Sequence, residues 1–446
     1  MSQLDPRGSF RSPAEIDRAV QSINRYAHAV DGPRDLELLI DRVSDADCVF
    51  LGEASHGTSE YYRWRAQITA KLLRDHGFSF VAVEGDWTDC YEINRYVKGL
   101  SGSHETIRDA LKTFERWPTW MWANWEVESF VDWLRSLNDG RAESRRAGFY
   151  GLDVYGLHES MRAVVDYLEG VDPDAAERAR TAYRCFEPYG EDAQEYARAL
   201  QMVPESCQEE VVDVLRDLRE NPPEYGEGTR DDRFAVEQNA LVARNAEAYY
   251  RSMVAGDEDS WNVRDRHMTD TLARLLDHHG PNAKGIVWAH NTHVGDARAT
   301  DMPHHGRINI GQLARERSAI GETYTVGFGS HRGEVVAGDS WGARMQTMDV
   351  PPARSGSYEA VFHRAVEGDA LLFSDDLSDG NALAAPRGHR AIGVVYHPDR
   401  EAGNYVPTVL PDRYDAFVYL DETEALHPIA LHPDRDRVPE LYPSGF

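Results

Sequence analysis

Glu53 and His56 stand three residues apart in "CVFLGEASHGTSEYYRWRAQI" (48–68), where a short apolar run gives way to a glycine-flanked turn. A carboxylate bonded to one imidazole nitrogen fixes the ring's tautomer and raises the basicity of the other nitrogen. That is what a general base needs to draw a proton from water. The plainer reading is a histidine that closes a turn beside a local charge. Gly52 and Gly57 allow a tight backbone path, and Thr58 or Ser59 is placed to cap the helix that follows. Nine residues beyond His56, that helix carries Arg65. Its guanidinium can grip a carboxylate or an oxyanion through two parallel hydrogen bonds, or simply form a surface ion pair.

A second pair of imidazoles, His290 and His293, lies in "WAHNTHVGD" (288–296), again at the end of an apolar run. They can polarise a carbonyl, stabilise an oxyanion or bind a metal. Glu84 ends "VAVEGDW" and Asp153 ends "AGFYGLD", while Asp86 is placed to cap a helix beginning near Trp87. Trp117, Trp120, Trp122, Trp125 and Trp133 crowd "ERWPTWMWANWEVESFVDWL" (115–134). Such residues pack between helix and sheet or wall an apolar pocket, and Trp122 is the candidate pocket contact. The sequence carries no GxSxG elbow, HExxH, Walker loop or GxGxxG after a strand. A serine nucleophile on an elbow is therefore not indicated, and the nucleophile expected is water.

These groups need a scaffold that brings them together. "CVFLGE" (48–53), "FVAVEG" (80–85), "AGFYGLD" (147–153) and "GIVWAH" (285–290) are continuous apolar runs, each followed by a helical pattern. Continuous apolarity means burial on both faces, so the fold class expected is α/β, a mainly parallel central sheet flanked by helices. Ligands of such sheets sit at the carboxyl ends of the strands, where Glu53, His56, Glu84, Asp153, His290 and His293 all fall.

From residue 157 to 280 the apolar residues recur at helical spacing, broken at Pro222-Pro223 and "GEGTRDD" (226–232), which predicts a large all-helical insertion or cap. Residues 1–156 and 281–446 then form the N- and C-terminal parts of the α/β core. "TYTVGFGS" (323–330), "ALLFS" (370–374), "AIGVVY" (391–396) and "AFVYL" (416–420) are expected to complete the sheet.

The formal net charge is -28, with only four lysines (Lys71, Lys98, Lys112 and Lys284) among 48 cationic residues. Acidic surfaces poor in lysine stay soluble in concentrated salt, which points to a halophilic source; an ordinary acidic protein from a GC-rich genome is the alternative. Such a surface repels nucleic acid and anionic membranes. No secretory leader or membrane-length apolar run is present, so a cytoplasmic location is expected. Cys48, Cys90, Cys185 and Cys207 are scattered without a CxxC pair, which indicates neither a zinc knuckle nor a disulfide framework.

"GEASHGTSEYYRWR", "VAVEGDW", "RDRHMTDTL" and "WAHNTHVGD", in this order, together resemble the erythromycin esterase family. "GHRAIGVVYHPDRE" and "YDAFVYLDET" (388–423) are similar to that family's C-terminal end, so the resemblance spans nearly the whole chain. Taken with the composition, it suggests a haloarchaeal-type member. The resemblance implies metal-independent, cofactor-free hydrolysis of a carboxylic ester, in the founding members the lactone ring of macrolide antibiotics. His56 would then be the general base and Glu53 its orienting partner. Arg65, Glu84, His290 and His293 would line the site and steady the carbonyl or the water, with Arg65, Asp153 and Trp122 as the expected substrate contacts. The partner expected is a small-molecule ester or lactone.

Two other readings stand beside this one. The same His/Glu set could hold zinc, manganese or iron in a metal-dependent hydrolase. A non-catalytic relative would keep the cleft and bind a ligand without turnover.

Overall fold

The computed structural model describes residues 12–31, 35–189, 196, 199, 206–220, 230–254, 259–378 and 380–429. Eleven strands occur among them: β1 (His28–Ala29), β2 (Cys48–Leu51), β3 (Phe80–Asp86), β4 (Gly148–Asp153), β5 (Gly285–Trp288), β6 (Thr323–Ala337), β7 (Gln346–Val350), β8 (Ala370–Phe373), β9 (Arg387–Arg390), β10 (Tyr405–Thr408) and β11 (Ala416–Thr423). The central sheet runs β1-β8-β11-β6-β2-β5-β3-β4, with β7 paired to β6. Every neighbouring pair from β11 to β4 is parallel, and the antiparallel pairs are confined to β1, β7 and β8. The fold is α/β with a largely parallel sheet.

Both faces of the sheet are covered, which is why the strands lack polar alternation. Val49 and Leu51 join one apolar core with Tyr62, Ile68 and Phe130 from the helices Ser59–Asp75 and Trp125–Asp139. Cys48 and Phe50 join the opposite core with Trp87, Met268, Leu272 and Leu275 from the helices Trp87–Lys98 and Asp259–His279.

Register then fixes the site. Leu51, Trp288, Val83 and Gly151 stand level across β2, β5, β3 and β4. Glu53 and His290 follow their strands by two residues, Glu84 follows Val83, and Asp153 closes β4. One edge of the sheet therefore carries all four. β5, made late in the chain, inserts between the earlier β2 and β3 and brings its histidines to the middle of that edge.

Among the described residues from 154 to 284 the regular structure is helical: Leu157–Val171, Pro173–Tyr183, Gln208–Glu220, Arg230–Val254 and Asp259–His279, with a short 3₁₀ helix at Arg184–Tyr189. Leu157, Val164, Val211, Leu215, Ala240 and Leu241 pack in a core of their own there. The expected breaks at Pro222-Pro223 and within 226–229 lie outside the described residues, as does most of the helical run expected over 190–203.

Four local expectations are corrected. Residues 391–396 do not form a strand; Ile392 and Val395 make only isolated bridges, because this segment crosses the turn after β2 instead of joining the sheet. The strand lies just before it, as β9 in a separate pair with β10. Cys185 and Cys207, Cα atoms 5.8 Å apart, form a disulfide that closes 22 residues, a proximity that tertiary packing creates and CxxC spacing cannot reveal. Asp86 stands at the start of the helix Trp87–Lys98 but does not cap it; its carboxylate pairs with Arg116 at 2.7 Å. Thr58 likewise leaves its helix uncapped and bonds the Ser55 hydroxyl.

Gly52 and Gly57 are needed for close approach, not for left-handed backbone. A Cβ on Gly52 would lie 2.1 Å from Asn291 Oδ1, and one on Gly57 1.9 Å from the Val336 carbonyl.

Candidate active site

At this edge the His56 Nδ1–H donates to Glu53 Oε1 at 2.9 Å. The carboxylate accepts, so the proton sits on Nδ1 and Nε2 is left as the basic nitrogen. The second Glu53 oxygen lies 2.7 Å from Arg65 Nη2. Arg65 is fully buried, lying over the rings of Tyr62 and Trp288 at 4.4 and 5.1 Å. It sits behind Glu53, on the side away from the imidazole. The Tyr62 hydroxyl lies 2.9 Å from the His56 carbonyl, which holds the turn from below.

Across from His56 the His290 ring lies with its centroid 5.0 Å away. Its Nδ1 accepts from the Thr292 backbone N–H at 3.3 Å and lies 2.8 Å from the Thr292 hydroxyl. That places the proton of the neutral ring on Nε2. This buried Nε2–H has no partner of full hydrogen-bond geometry among the described residues; the Ala54 backbone offers the ring a weaker hydrogen bond. Burial first, then the neighbouring His56, hold the His290 pKa well below the ordinary histidine value. A neutral imidazole with so weakly held an N–H is suited to meet an oxyanion.

Glu84 ties the two halves together. Its Oε2 accepts from the His290 backbone N–H at 2.8 Å, and its Oε1 from Arg264 Nη2 at 2.7 Å. Burial works against its charge, but His293, Arg264 and His56 outweigh it and hold the carboxyl well below the usual range. Burial also opposes a charge on His56, and there Glu84 and Glu53 prevail, so its pKa is raised above the ordinary value. His56, at 7% exposed, is the most accessible of the histidine and glutamate groups, which puts it at the mouth.

Arg264 went unassigned in the sequence, yet it organises the inner wall. It donates from Nε to Asp153 Oδ1 at 2.9 Å, from Nη2 to Asp153 Oδ2 at 2.6 Å, and from Nη1 to His293 Nε2 at 2.9 Å. His293 Nδ1–H donates in turn to the fully buried Asp265 at 3.0 Å, and its ring stacks on Trp261 at 4.5 Å. Asp265 thus stands at Nδ1 of His293, and Arg264 with Glu84 at Nε2, so both ring nitrogens are engaged.

In "RDRHMTDTL" the sequence shows Arg264 and Asp265 only as adjacent charges; it is the structure that encloses their helix, with every residue from Trp261 to Leu276, Arg266 aside, buried or half-buried. A helix so enclosed holds charges only when they have partners.

The predicted residues thus divide by position. Glu53, His56, Glu84, His290 and His293 are brought into one connected cluster. Asp153 reaches it through Arg264, and Arg65 through Glu53. Trp122 is buried under the cluster, its indole N–H donating to the Glu84 carbonyl at 3.0 Å. Trp120 is core, Trp117 and Trp133 are half-buried, and Trp125 is exposed. No group of three or more His, Cys, Asp or Glu among the described residues is arranged to hold a metal. The donors point at one another: both nitrogens of His293 are engaged, as is Nδ1 of His56 and of His290.

The profile of the Erythromycin esterase family matches residues 73–423. Putative hydrolase YbfO of Bacillus subtilis is 21% identical over 90% of this chain and 90% of its own length. Erythromycin esterase type II of Escherichia coli is 23% identical over 78% of this chain and 85% of its own. Among solved structures, a Bacillus cereus protein superposes with a TM-score of 0.78 at 19% identity, covering 93% of this chain and 99% of that one. A mutant erythromycin esterase in its open conformation gives a TM-score of 0.64 at 17% identity, covering 92% and 97%. No helix of the described residues is long and apolar enough to cross a membrane. The chain belongs to the erythromycin esterase family, and the names of its relatives mark it as a hydrolase of that family.

Proposed function

We propose that the protein hydrolyses a carboxylic ester or lactone by general-base activation of water, without a metal. The observation that carries this reading is the Glu53–His56 bond, which fixes a basic Nε2 at the mouth of the site. His56 Nε2 takes a proton from water as its oxygen bonds to the carbonyl carbon. The resulting oxyanion is received by the Nε2–H of His290. When the tetrahedral intermediate collapses, the C–O bond to the leaving alkoxide breaks and the imidazolium returns its proton to that oxygen. The imidazolium is stabilised in the interval by Glu53 and Glu84, the groups that already raise the pKa of His56. General-base catalysis of this kind contributes about 10²–10⁴-fold.

Arg65 and Trp122 lie buried behind Glu53 and Glu84, and Asp153 behind Arg264, so in this reading the three expected substrate contacts instead position the carboxylates and the arginine of the site. The test is a screen of p-nitrophenyl esters, simple lactones and macrolides, run in low and in molar salt because acids outnumber cations 76 to 48. Turnover that is lost in a folded His56→Gln variant supports the proposal. Equal turnover by that variant refutes the role of His56.

A further inference from the structure

A second carboxylate–imidazole pair lies outside the cluster, on the far side of the turn that carries His290 and His293. Glu359, in the helix Tyr358–Ala365, accepts from His389 Nδ1–H at 2.6 Å and from the Arg390 backbone N–H at 2.8 Å. All three side chains are essentially fully buried. His389 Nε2 therefore keeps its lone pair, and it faces Asn291 Nδ2 at 3.2 Å.

Asn291 is the hinge of the site. Its Nδ2 also donates to the Phe328 carbonyl at 2.6 Å, and its Oδ1 accepts from the Phe328 N–H at 3.3 Å, so the side chain takes the place alongside β6 where β2 has ended. Its backbone N–H donates to the Glu53 carbonyl at 2.8 Å. Its chain neighbours are His290 and Thr292, the ring and the group that sets that ring's tautomer. Three residues past His389, the Ile392 N–H donates to the Ala54 carbonyl at 2.8 Å, between Glu53 and His56. One short segment, 389–392, thus braces both catalytic turns from behind.

We infer that His389, held by Glu359, is a positioning residue for hydrolysis: it fixes the amide of Asn291 and, through it, the relative placement of the His56 and His290 turns. A lone pair at His389 Nε2 demands the amide N–H end of Asn291 there and assigns the oxygen end to Phe328. Without that acceptor, the Asn291 amide loses one of its anchors and the histidine turn its register against Glu53.

The inference rests on the hydrolase reading for its kinetic arm only. His389→Gln keeps an acceptor for Asn291, whereas His389→Leu is of similar bulk and offers none. With p-nitrophenyl acetate as probe, His389→Leu is expected to lower kcat by about 10–100-fold with KM within about threefold, as for outer-shell partners whose loss misplaces catalytic groups. His389→Gln should recover most of that loss. In 15N-histidine-labelled protein, the His290 and His56 resonances, assigned by their own glutamine variants, should shift in His389→Leu and return toward wild type in His389→Gln. Wild-type kcat or unmoved resonances in His389→Leu would overturn the inference. So would a failure of both variants to fold, which would make His389 a purely structural residue. If the wild-type chain cleaves no ester, the proposed function fails and the resonance comparison still decides the positioning role.

Discussion

Replacing Glu53 by glutamine separates the two tasks this carboxylate performs. One oxygen accepts from His56 Nδ1 at 2.9 Å and the other lies 2.7 Å from Arg65, and both Glu53 and Arg65 are fully buried. The amide has one acceptor end and one donor end, so it can satisfy only one partner. If its oxygen stays on His56, its NH₂ turns to the guanidinium and Arg65 is stranded; among the described residues Glu53 is its ion-pair partner. Stranding a buried charge costs about 3–5 kcal/mol. If the amide turns over to serve Arg65, the imidazole must move its proton to Nε2, and the base is lost. Replacing the orienting aspartate of a Ser-His-Asp triad by asparagine, which acts through the same tautomer change, lowers kcat about 10⁴-fold.

The decisive variant is the double substitution Glu53→Gln with Arg65→Met, which removes the stranded charge. Denaturant unfolding followed by tryptophan fluorescence, at fixed salt, should show it recovering at least about 2 kcal/mol relative to Glu53→Gln alone, because a buried pair costs most when only one member is removed. Its rate on p-nitrophenyl acetate should stay at the level of the single variant. Wild-type stability for Glu53→Gln, or turnover restored by Arg65→Met, would refute the division of labour.

The proposed mechanism uses neutral His56, so kcat/KM should rise with pH along a limb centred above the ordinary histidine value of about 6.5, and a limb at or below that value contradicts the raised pKa. The same raised pKa means the folded chain holds this proton more tightly than the unfolded one. The stabilisation is complete below about pH 6.5 and is lost as pH climbs through the folded value. The stability of wild type minus that of His56→Gln should therefore decline between about pH 6 and 8, and an increase would show the sign to be wrong. Arg264→Met leaves Glu84 and Asp153 buried without their shared cation and should cost about 3–5 kcal/mol, part of it recovered by adding Asp153→Asn; an additive loss in the double variant refutes the shared anchor. Reduction of Cys185–Cys207, which closes 22 residues, should lower stability by about 3 kcal/mol on the chain-entropy account, while a Cys185→Ser/Cys207→Ser protein should ignore the reductant.

The sequence by itself determined the strand ends. Runs such as "CVFL" and "GIVW" are apolar on both faces because both are covered, and they mark buried parallel strands without need of coordinates. A charge placed just past such a run lies at the carboxyl edge, so Glu53, His56, Glu84, Asp153, His290 and His293 could all be picked out. Only the tertiary structure decided how these groups serve one another. β5 enters between β2 and β3, an order that no local pattern encodes. Arg264, more than a hundred residues from Asp153 and Glu84, is joined to both across the fold, and its neighbour Asp265 to His293. Arg65 turned inward to Glu53, and "AIGVVY" became a brace instead of a strand, because a side chain's or segment's partner is set by packing and not by composition. Hydrogen-bond partners assign the tautomers of His56 and His290 and tie down both nitrogens of His293, and the proposed roles of base, donor and strut rest on them.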